Sequence, residues 1–453
     1  MQSYGFTRKT LVPLASALAL VAATGDGALA APKETLLYSF KNGTSDGQLP
    51  FQDVTLDSQG NVYGMTQAGG VLNLGVVYKV APDGTETVLH SFVGGANDGS
   101  SSNGSLLLDK QGNLYGTTGF GGGTGCGGGG CGVVFKLAPN GKFTLLHSFK
   151  GDGDGYYPQG ALLADKAGNL YGAAALGGGD TTCEVHGEGK NSGCGTVFKV
   201  APDGTFTVLH TFEHPNQEGT IPNGSLIADA QGNLYGTTEV NGADTPCPAD
   251  VFENGCGVVF KLSSSGAFSV LHAFTGGSDG GLPYGGLFAD ALGNLYGATI
   301  AGGNLGLCDA TAGDGKGCGT LYKLSPTGTL TTLHTFTGGA DGAAATSRLI
   351  ADCKGNLYGT ADFGGDDKAK ACAQSDGIPG CGTVFKITPD GTFSLLHTFE
   401  GAPKDGAGPI FTGVAADSAG NLYGATSGGG ANGAGAVYKL TDTGFATGTA
   451  CSP

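Results

Sequence analysis

The chain lacks the features that mark several common protein classes. Beyond residue 31, no segment has the apolar period of an amphipathic helix, and no apolar run is long enough to span a membrane. Positive charge is also scarce, because 38 acidic residues outnumber 22 Lys and Arg and give a formal net charge of −16. Such a charge disfavours nucleic acids and anionic membrane surfaces as partners.

Common catalytic signatures do not stand out either. None of the Gly-x-Ser-x-Gly elbow, the phosphate-binding loop, the His-Glu-x-x-His zinc motif and the paired-carboxylate signature is prominent in the sequence. No reaction type follows directly from a motif, and the informative features are the repeats.

One pentapeptide, Gly-Asn-(Leu/Val)-Tyr-Gly, occurs seven times. The copies begin at Gly60, Gly112, Gly168, Gly232, Gly293, Gly355 and Gly420. Their starts lie 52 to 65 residues apart, a period typical of repeat arrays and propellers.

Each repeat contains four short apolar segments, represented in the second unit by residues 104–109, 113–118, 133–137 and 143–149. These segments are rich in β-branched, aromatic and aliphatic residues and are bounded by turn residues, which is typical of short strands. Tight turns join the first to the second segment and the third to the fourth. The sequence therefore predicts an all-β protein, a seven-bladed β-propeller of four-stranded antiparallel blades. An extended β-solenoid is the alternative that fits two hairpins per repeat less well.

The phase of the repeat predicts how the ring closes. Residues 34–40 match the fourth strand of other units, whereas the last unit ends after its third strand at residues 437–440, with only a frayed fourth-strand copy near Phe445. We therefore expect the N-terminal strand to complete the last blade and to cover an otherwise unpaired sheet edge.

Residues 1–30 have the pattern of a secretory signal peptide. Arg8 and Lys9 precede an apolar stretch at residues 11–23, and Ala28-Leu29-Ala30 resembles a cleavage site. No Cys lies at this point to carry a lipid anchor. Residues 31–453 are then expected to form one exported propeller domain.

The cysteines favour the same compartment. Ten of the twelve form pairs within the loops between second and third strands. The pairs are Cys126 with Cys131, Cys183 with Cys194, Cys247 with Cys256, Cys308 with Cys318, and Cys372 with Cys381. Local disulfides explain them better than zinc, because no pair has the Cys-x₂-Cys spacing and the loops lack matching His ligands. Cys353 and Cys451 are left over, and they either pair across blades six and seven or stay unpaired.

The combination of Gly-Asn-Leu-Tyr-Gly-Thr-Thr, Gly-(Thr/Val)-Val-Phe-Lys-(Leu/Val) and Leu-His-(Ser/Thr)-Phe resembles the Gloeo/Verruco (GloVer) repeat of secreted bacterial proteins. The resemblance covers nearly all of residues 34–440. It implies an exported bacterial protein of the cell surface or the extracellular space, and it brings no reaction or catalytic residue. Since the sequence stops at Cys451-Ser452-Pro453 without a hydrophobic tail or sorting motif, we expect free release rather than anchoring.

Two residue types recur in every unit or almost every unit. The fourth strand carries His90, His147, His210, His272, His334 and His397, with Tyr38 at the same position in the N-terminal strand. The pentapeptide carries Tyr63, Tyr115, Tyr171, Tyr235, Tyr296, Tyr358 and Tyr423. Because a catalytic group is not normally repeated around a ring, we interpret both sets as packing residues between blades.

An acidic residue precedes the first strand of each unit. These residues are Asp46, Asp98, Asp154, Glu218, Asp279, Asp341 and Asp405. A ring of carboxylates on the face of the Cys loops could attract Ca²⁺, the one cofactor that the sequence suggests. The alternative is a turn feature in which each carboxylate is used locally.

Departures from the repeat are the better functional hints, because the fold does not require them. One position of the first strand is Gly, Ala or Ser in most units but is Asp53 in the first and Arg348 in the sixth. Polar or aromatic residues precede this position, namely Asn103, Gln159, Asn223, Tyr284 and Phe411. If these residues line the channel mouth, they form a pocket of the kind that holds sugars or small ligands.

The sequence thus predicts a secreted, monomeric, non-enzymatic binding or surface-interaction protein for an extracellular glycan or protein. The alternative is an extracellular lyase or hydrolase that acts on glycans or small substrates at the channel mouth. A structural surface-layer component is the third interpretation, because the fold itself selects no function.

Overall fold

The computed structural model describes residues 31–179, 183–185, 189–190, 193–213, 217–242, 255–308, 317–365, 372 and 380–448. The predicted signal peptide lies outside these residues and stays a prediction. Seven four-stranded antiparallel sheets form the predicted seven-bladed β-propeller. Blades are numbered here by the pentapeptide copy that they contain.

Strand order is the same in every blade, from the innermost strand outward. The innermost strands are Thr55–Leu56, Leu107–Leu108, Tyr156–Ala164, Ile227–Ala228, Phe288–Ala289, Ile350–Ala351 and Ala415–Ala416. The second strands are Val62–Met65, Leu114–Gly121, Leu170–Leu176, Leu234–Thr238, Leu295–Thr299, Leu357–Ala361 and Leu422–Thr426. The third strands are Val76–Val80, Val133–Leu137, Thr196–Val200, Val258–Leu262, Thr320–Leu324, Thr383–Ile387 and Ala436–Thr441. The outer strands are Glu86–Ser91, Phe143–Ser148, Phe206–Thr211, Phe268–Ala273, Leu330–Thr335, Phe393–Thr398 and, for blade seven, Lys33–Ser39.

The remaining elements are short. Small two-stranded pairs join Gly47–Gln48 to Ala68–Gly69, Glu184–Val185 to Gly189–Lys190, Glu218–Thr220 to Val240–Gly242, and Gly406–Ala407 to Gly428–Gly429. Gly99–Ser102 pairs with the second strand of blade two. One 3-10 helix, Cys126–Gly128, lies in the loop before the third strand of that blade.

The ring closes as predicted. Lys33–Ser39 pairs antiparallel with Ala436–Thr441, with Lys33 opposite Thr441 and Ser39 opposite Ala436. The first strand of the domain therefore covers the edge of the last blade, which leaves no unpaired edge at the junction.

The pentapeptide is explained by two glycines with different tasks. Its first Gly has φ between +78° and +84° in all seven blades, a conformation that favours glycine at the end of the turn. A Cβ on its second Gly would meet the aromatic ring of the third strand: at Gly116 it would lie 2.8 Å from Phe135. The Gly therefore lets this ring lie flat across the second strand.

The turn before the pentapeptide depends on an aspartate. In blade two, the Asp109 carboxylate accepts hydrogen bonds from the N–H groups of Gln111 and Asn113, from Asn113 Nδ2, and from the Tyr115 hydroxyl. The Lys136 ammonium lies 5.4 Å from the centre of the Tyr115 ring. The recurring Tyr, Asp and Lys therefore stabilise one another, which agrees with the structural interpretation of the Tyr.

The hydrophobic core consists of clusters that lie between neighbouring blades. Between blades two and three, for example, Val134 and Phe149 pack with Leu170 and Phe198, and Tyr115 covers the cluster. Equivalent clusters fill the other six seams of the ring. Each blade is thus held by its two neighbours, and a closed ring is needed to bury both faces of every sheet.

The C-terminal segment differs from the expectation of a frayed outer strand near Phe445. The Phe445 ring instead packs 4.9 Å from that of Tyr358, whose hydroxyl donates to the Gly444 carbonyl. The Ala446 N–H donates to the Asp352 carboxylate. The outer position of blade seven is already taken by Lys33–Ser39, so the segment after the third strand docks on blade six instead.

The loop cysteines pair as predicted wherever both partners are described. Disulfides join Cys126 to Cys131, Cys183 to Cys194, Cys308 to Cys318, and Cys372 to Cys381. Cys256 is also disulfide-bonded, and its predicted partner Cys247 lies outside the described residues. Cys353 is an exposed free thiol, and Cys451 lies outside the described residues. Within the described part of the chain, no helix has the length and apolar character needed to cross a membrane.

Candidate functional site

The links between blades carry their residues to the mouth of the central channel. Each link runs from an outer strand to the next innermost strand, on the face that also carries the Cys loops. The Asp53 N–H donates to Ser105 Oγ at 3.1 Å, and the Ala161 N–H donates to Ser225 Oγ at 2.8 Å. In these contacts, the side chain of one blade accepts from the backbone of the preceding blade. The contacts hold the ends of neighbouring links side by side.

All seven blades line one recess at this mouth. Its lining includes Gln52, Asp53, Ser105, Gln159, Asn223, Tyr284, Thr346, Arg348 and Phe411. The volume of the recess is about 20 Å³, which is room for about one water molecule. A ligand of any size would therefore lie over the mouth and insert only one small group.

The structure thus brings together most of the residues predicted to bind a ligand. Asp53, Gln159, Asn223, Tyr284 and Arg348 surround the recess. Asn103 does not line the recess. It is buried where a Cβ on Gly119 would lie 2.5 Å from its Nδ2 atom and 2.7 Å from Tyr157. Its ligand role stays a prediction.

An aromatic pair lies across the mouth. The Tyr284 ring stacks on Phe411 with centroids 4.6 Å apart and planes 22° apart. The Tyr284 hydroxyl donates to Gln159 Oε1 at 3.1 Å. The centre of the Phe51 ring lies 6.1 Å from that of Phe411. Blades one, three, five and seven therefore meet in one polar and aromatic group.

The charged residues that line the recess are Asp53 and Arg348. Arg348 is the only arginine after residue 8, and its side chain is exposed. No hydrogen bond or salt bridge joins its guanidinium to another described residue. Asp53 Oδ1 accepts the Gly413 N–H at 2.6 Å. Burial raises the pKa of Asp53, although the Arg348 charge and the Gly413 N–H act in the opposite direction.

Two further acids belong to the site, and the sequence analysis missed them. The Asn223 amide donates through Nδ2 to Glu239. The Thr346 hydroxyl donates to Asp362 at 2.8 Å and accepts the Phe411 N–H at 2.9 Å. Burial raises the pKa of Asp362 well above its ordinary value, although the Thr346 hydroxyl opposes the shift.

A sequence signal for these acids exists. The third residue after the pentapeptide, at the end of the second strand, differs in every blade. It is Gln67, Gly119, Ala175, Glu239, Ile300, Asp362 and Ser427 in chain order. The same criterion that singled out Asp53 and Arg348 would have found Glu239 and Asp362 here.

The acidic ring of the links is paired within each blade. Each of these six His donates through Nε2 to the carboxylate that follows its strand, at 3.0 to 3.2 Å. The pairs are His90 with Asp98, His147 with Asp154, His210 with Glu218, His272 with Asp279, His334 with Asp341, and His397 with Asp405. In the N-terminal strand, the Tyr38 hydroxyl donates to Asp46 at 2.8 Å.

These pairs account for the recurring histidines. In four seams, the His ring also stacks on the Phe that begins the next outer strand, as His147 does on Phe206 at 3.6 Å. This agrees with the interpretation of His as a packing residue. No group of three or more His, Cys, Asp or Glu among the described residues has the arrangement of a metal site. Each carboxylate of the acidic ring already has a partner within its own blade. Binding of Ca²⁺ by this ring stays a prediction.

A larger groove of about 740 Å³ lies on the opposite face, between blades one and two. It is lined by turn and strand residues such as Asp57, Tyr63, Lys79 and Asp109. The Asp and the Tyr recur at these positions in all blades, and each Asp already accepts a hydrogen bond from the Tyr of its own blade, as Asp57 does from Tyr63 and Asp109 from Tyr115. The groove therefore lacks the departures from the repeat that mark the channel mouth.

The repeat pattern also assigns the chain to a known family of repeat proteins. Residues 25–186 and 185–309, more than half of the chain, match the model of the Gloeobacter/Verrucomicrobia repeat. The chain belongs to this repeat family. No curated protein sequence matches the chain.

Several solved propellers have a similar fold. The extracellular domain of a hybrid two-component system from B. thetaiotaomicron is 13% identical, with 90% of this chain and 41% of that chain covered and a TM-score of 0.51. A gluconolactonase from Xanthomonas campestris is 16% identical, with coverages of 72% and 85% and a TM-score of 0.40. A luciferin-regenerating enzyme is 14% identical, with coverages of 84% and 99% and a TM-score of 0.43. At these identities the likeness concerns the fold alone.

Proposed function

We propose that this repeat protein is an extracellular binding protein whose ligand docks at the mouth of the central channel. The loop disulfides support an extracellular location, because such bonds persist in oxidising compartments. The predicted signal peptide agrees with export. One observation carries the binding site: the residues that depart from a seven-fold repeat converge on a single recess.

The ring itself does not require these departures. A serine is sufficient to accept the N–H of the preceding blade, as Ser105 and Ser225 do. Asp53 performs the same task for Gly413 but adds a carboxyl group whose burial is costly. Arg348 contributes no hydrogen bond to another described residue. Groups that the fold does not use are available to a ligand.

The chemistry of the mouth fits a small polar ligand with an apolar face, such as a sugar. The stacked rings of Tyr284 and Phe411 offer a flat apolar surface. Gln159 and Asn223 place amide groups beside it, and binding pockets combine apolar surface with a few convergent polar groups in this way. The recess itself accommodates one group of about the size of a hydroxyl.

The test is a glycan-binding screen on residues 31–453, followed by a double variant that restores the repeat. Asp53→Ser with Arg348→Ser gives blades one and six the serine of blades two and four, and should leave the melting temperature nearly unchanged. We expect it to weaken glycan binding at least tenfold. Lys110→Ala, in the groove of the opposite face, is the matched control and should bind as the wild type does. Unchanged binding by the double variant would contradict the proposed site.

A second candidate function, extracellular glycan hydrolysis or elimination, is favoured by the carboxyl groups at the mouth. Burial raises the pKa of Asp53 and of Asp362, and such carboxyl groups serve as general acids in enzymes. Incubating the glycans that bind with the wild type and with Asp53→Asn separates the two functions. Product formed by the wild type and lost in the variant would favour an enzyme.

A further inference from the structure

We infer that the ligand at the channel mouth is an acidic sugar whose carboxylate or sulfate group pairs with the Arg348 guanidinium. This inference rests on the proposed function and specifies the class of its ligand. It follows from the charge of the mouth, from the hydrogen-bonding atoms left without a partner there, and from the aromatic surface between them.

Arg348 is the one cationic residue among the described residues that line the recess. Its exposed guanidinium has no hydrogen bond or salt bridge to another described residue. The recurring third-strand lysines are used differently, since five of them lie 5.3 to 5.7 Å above the tyrosine rings of their own blades. The planar donor fork of Arg matches the paired oxygens of a carboxylate or sulfate. On a chain with a net charge of −16, this guanidinium is the group of the recess that would attract an anion.

The acids around the mouth have hydrogen-bond partners of their own. Asp362 is buried, and its carboxyl group accepts a hydrogen bond from the Thr346 hydroxyl. Burial raises the pKa of Asp362 well above its ordinary value. Glu239 accepts a hydrogen bond from Asn223. Asp53 is held by the Gly413 N–H, and no salt bridge within 4.0 Å joins it to Arg348 among the described residues. The guanidinium is therefore free to turn toward a bound oxyanion.

Asn223 supplies the second contact. The Asn223 side chain is only 5% exposed and lines the recess. Its Nδ2 atom faces Glu239, whose carboxylate can only accept, and this fixes the orientation of the amide. Oδ1 is then a buried acceptor without a donor. A buried polar atom of this kind is costly unless a partner arrives. A hydroxyl group of a sugar, placed in the recess, would be that donor.

The aromatic pair selects a sugar over a simple organic acid. A pyranose ring has an apolar C–H face that can cover the stacked Tyr284 and Phe411 rings while its substituents reach Arg348 and Asn223. A small carboxylic acid could pair with Arg348. It would contact neither the stacked rings of Tyr284 and Phe411 nor the Oδ1 atom of Asn223.

The test compares matched oligosaccharides by isothermal titration calorimetry at pH 7 and low salt. The probes are trimeric uronates (α-1,4-linked galacturonate and β-1,4-linked glucuronate), the neutral hexose trimers of the same linkages, and their sulfated derivatives. We expect at least one acidic trimer to bind ten or more times tighter than its neutral counterpart. The uronate and sulfate arms show which oxyanion is preferred.

Variants assign the effect to Arg348. Arg348→Ser should bring the acidic and neutral trimers to equal affinity, whereas Arg348→Lys should retain part of the difference. Lys110→Ala, which removes the same charge from the opposite face, should leave the difference unchanged, and the melting temperatures should show that all variants fold.

Two negative outcomes are distinguishable. If neutral trimers bind as tightly as acidic ones and Arg348→Ser changes nothing, the acidic-sugar inference is wrong while glycan binding stands. If none of the trimers binds, the inference and the proposed sugar ligand both fail.

Discussion

Replacing both Glu34 and Glu86 by glutamine is expected to stabilise the propeller above pH 7 and to change it little near pH 4.5. Glu34 is the second residue of the outer strand of blade seven, and Glu86 is the first residue of the outer strand of blade one. They lie in the two seams on either side of blade seven. In four other seams a Phe occupies the position and stacks on the His of the preceding blade, with centroids 3.6 to 4.3 Å apart. In the two seams of blade seven, a glutamate therefore stands where four other seams have a phenylalanine ring.

Both carboxyl groups lie in unfavourable surroundings. Burial raises the pKa of Glu34 to about 7, with a further increase from Asp405 that His397 opposes. Burial raises the pKa of Glu86 to about 7 as well, with Asp46 adding to the shift and Lys41 opposing it. In each residue one carboxyl oxygen, Oε1, is buried without a hydrogen-bond partner.

Proton linkage gives the direction in which the free energy of unfolding changes with pH. A carboxyl group with a raised pKa binds its proton more tightly in the folded protein, so the folded state loses stability as pH rises from about 4.5 to about 7. For a fully buried group, this difference corresponds to about 3 kcal/mol. Because both side chains are partly exposed, solvent screening reduces the loss to about 1 kcal/mol for each.

The assay is urea unfolding of the wild type and of E34Q/E86Q at pH 4.5 and pH 8. We expect the double variant to be about 2 kcal/mol more stable at pH 8 and nearly equal at pH 4.5. Glu34→Phe should stabilise blade seven further by giving His397 the ring partner found in other seams. Glu400→Gln, an exposed glutamate, is the control and should change neither value. A double variant no more stable at pH 8, or equally stabilised at both pH values, would refute the reasoning.

Three further predictions concern the fold. Deleting residues 31–42 should lower the melting temperature and promote aggregation on size-exclusion chromatography, because it exposes the edge of Ala436–Thr441; an unchanged elution profile would contradict the closure. Gly116→Ala should cost about 1–3 kcal/mol of unfolding free energy through its contact with Phe135, whereas Gly153→Ala, with open space around its Cβ, should cost less than about 0.5 kcal/mol. Mild reduction should increase protease cleavage in the loops between second and third strands while circular dichroism keeps the strand signal, since blades one and seven form the same strands without loop cysteines; global unfolding would contradict this.

The sequence was sufficient for the blades because each repeat encodes its own turns and strands. The Asp109 turn, the positive φ of Gly112 and the packing of Phe135 over Gly116 are local, and seven copies make the pattern unambiguous. The innermost strand was less well predicted. Residues 104–109 were expected to form a strand, but pairing is limited to Leu107–Leu108. Ser105 accepts a hydrogen bond from the neighbouring blade rather than taking part in the ladder.

The candidate site was only partly predictable, because its contacts join residues far apart in the chain. Position in the repeat placed Asp53, Tyr284 and Arg348 at the mouth. It could not show that Tyr284 would stack on Phe411, since the two residues lie on different blades and the repeat does not encode the directions of their side chains. Asn103 occupies the same repeat position as Asn223, yet it is buried beside Gly119, where the absence of a side chain opens space for it.

The most direct test of the ligand site is a crystal structure of residues 31–453 with a bound uronate oligosaccharide. The account predicts a sugar ring over Tyr284 and Phe411, its carboxylate on Arg348 and one hydroxyl group donating to Asn223 Oδ1. A sugar found in the groove between blades one and two, or on the outer strands with the mouth unchanged, would contradict it.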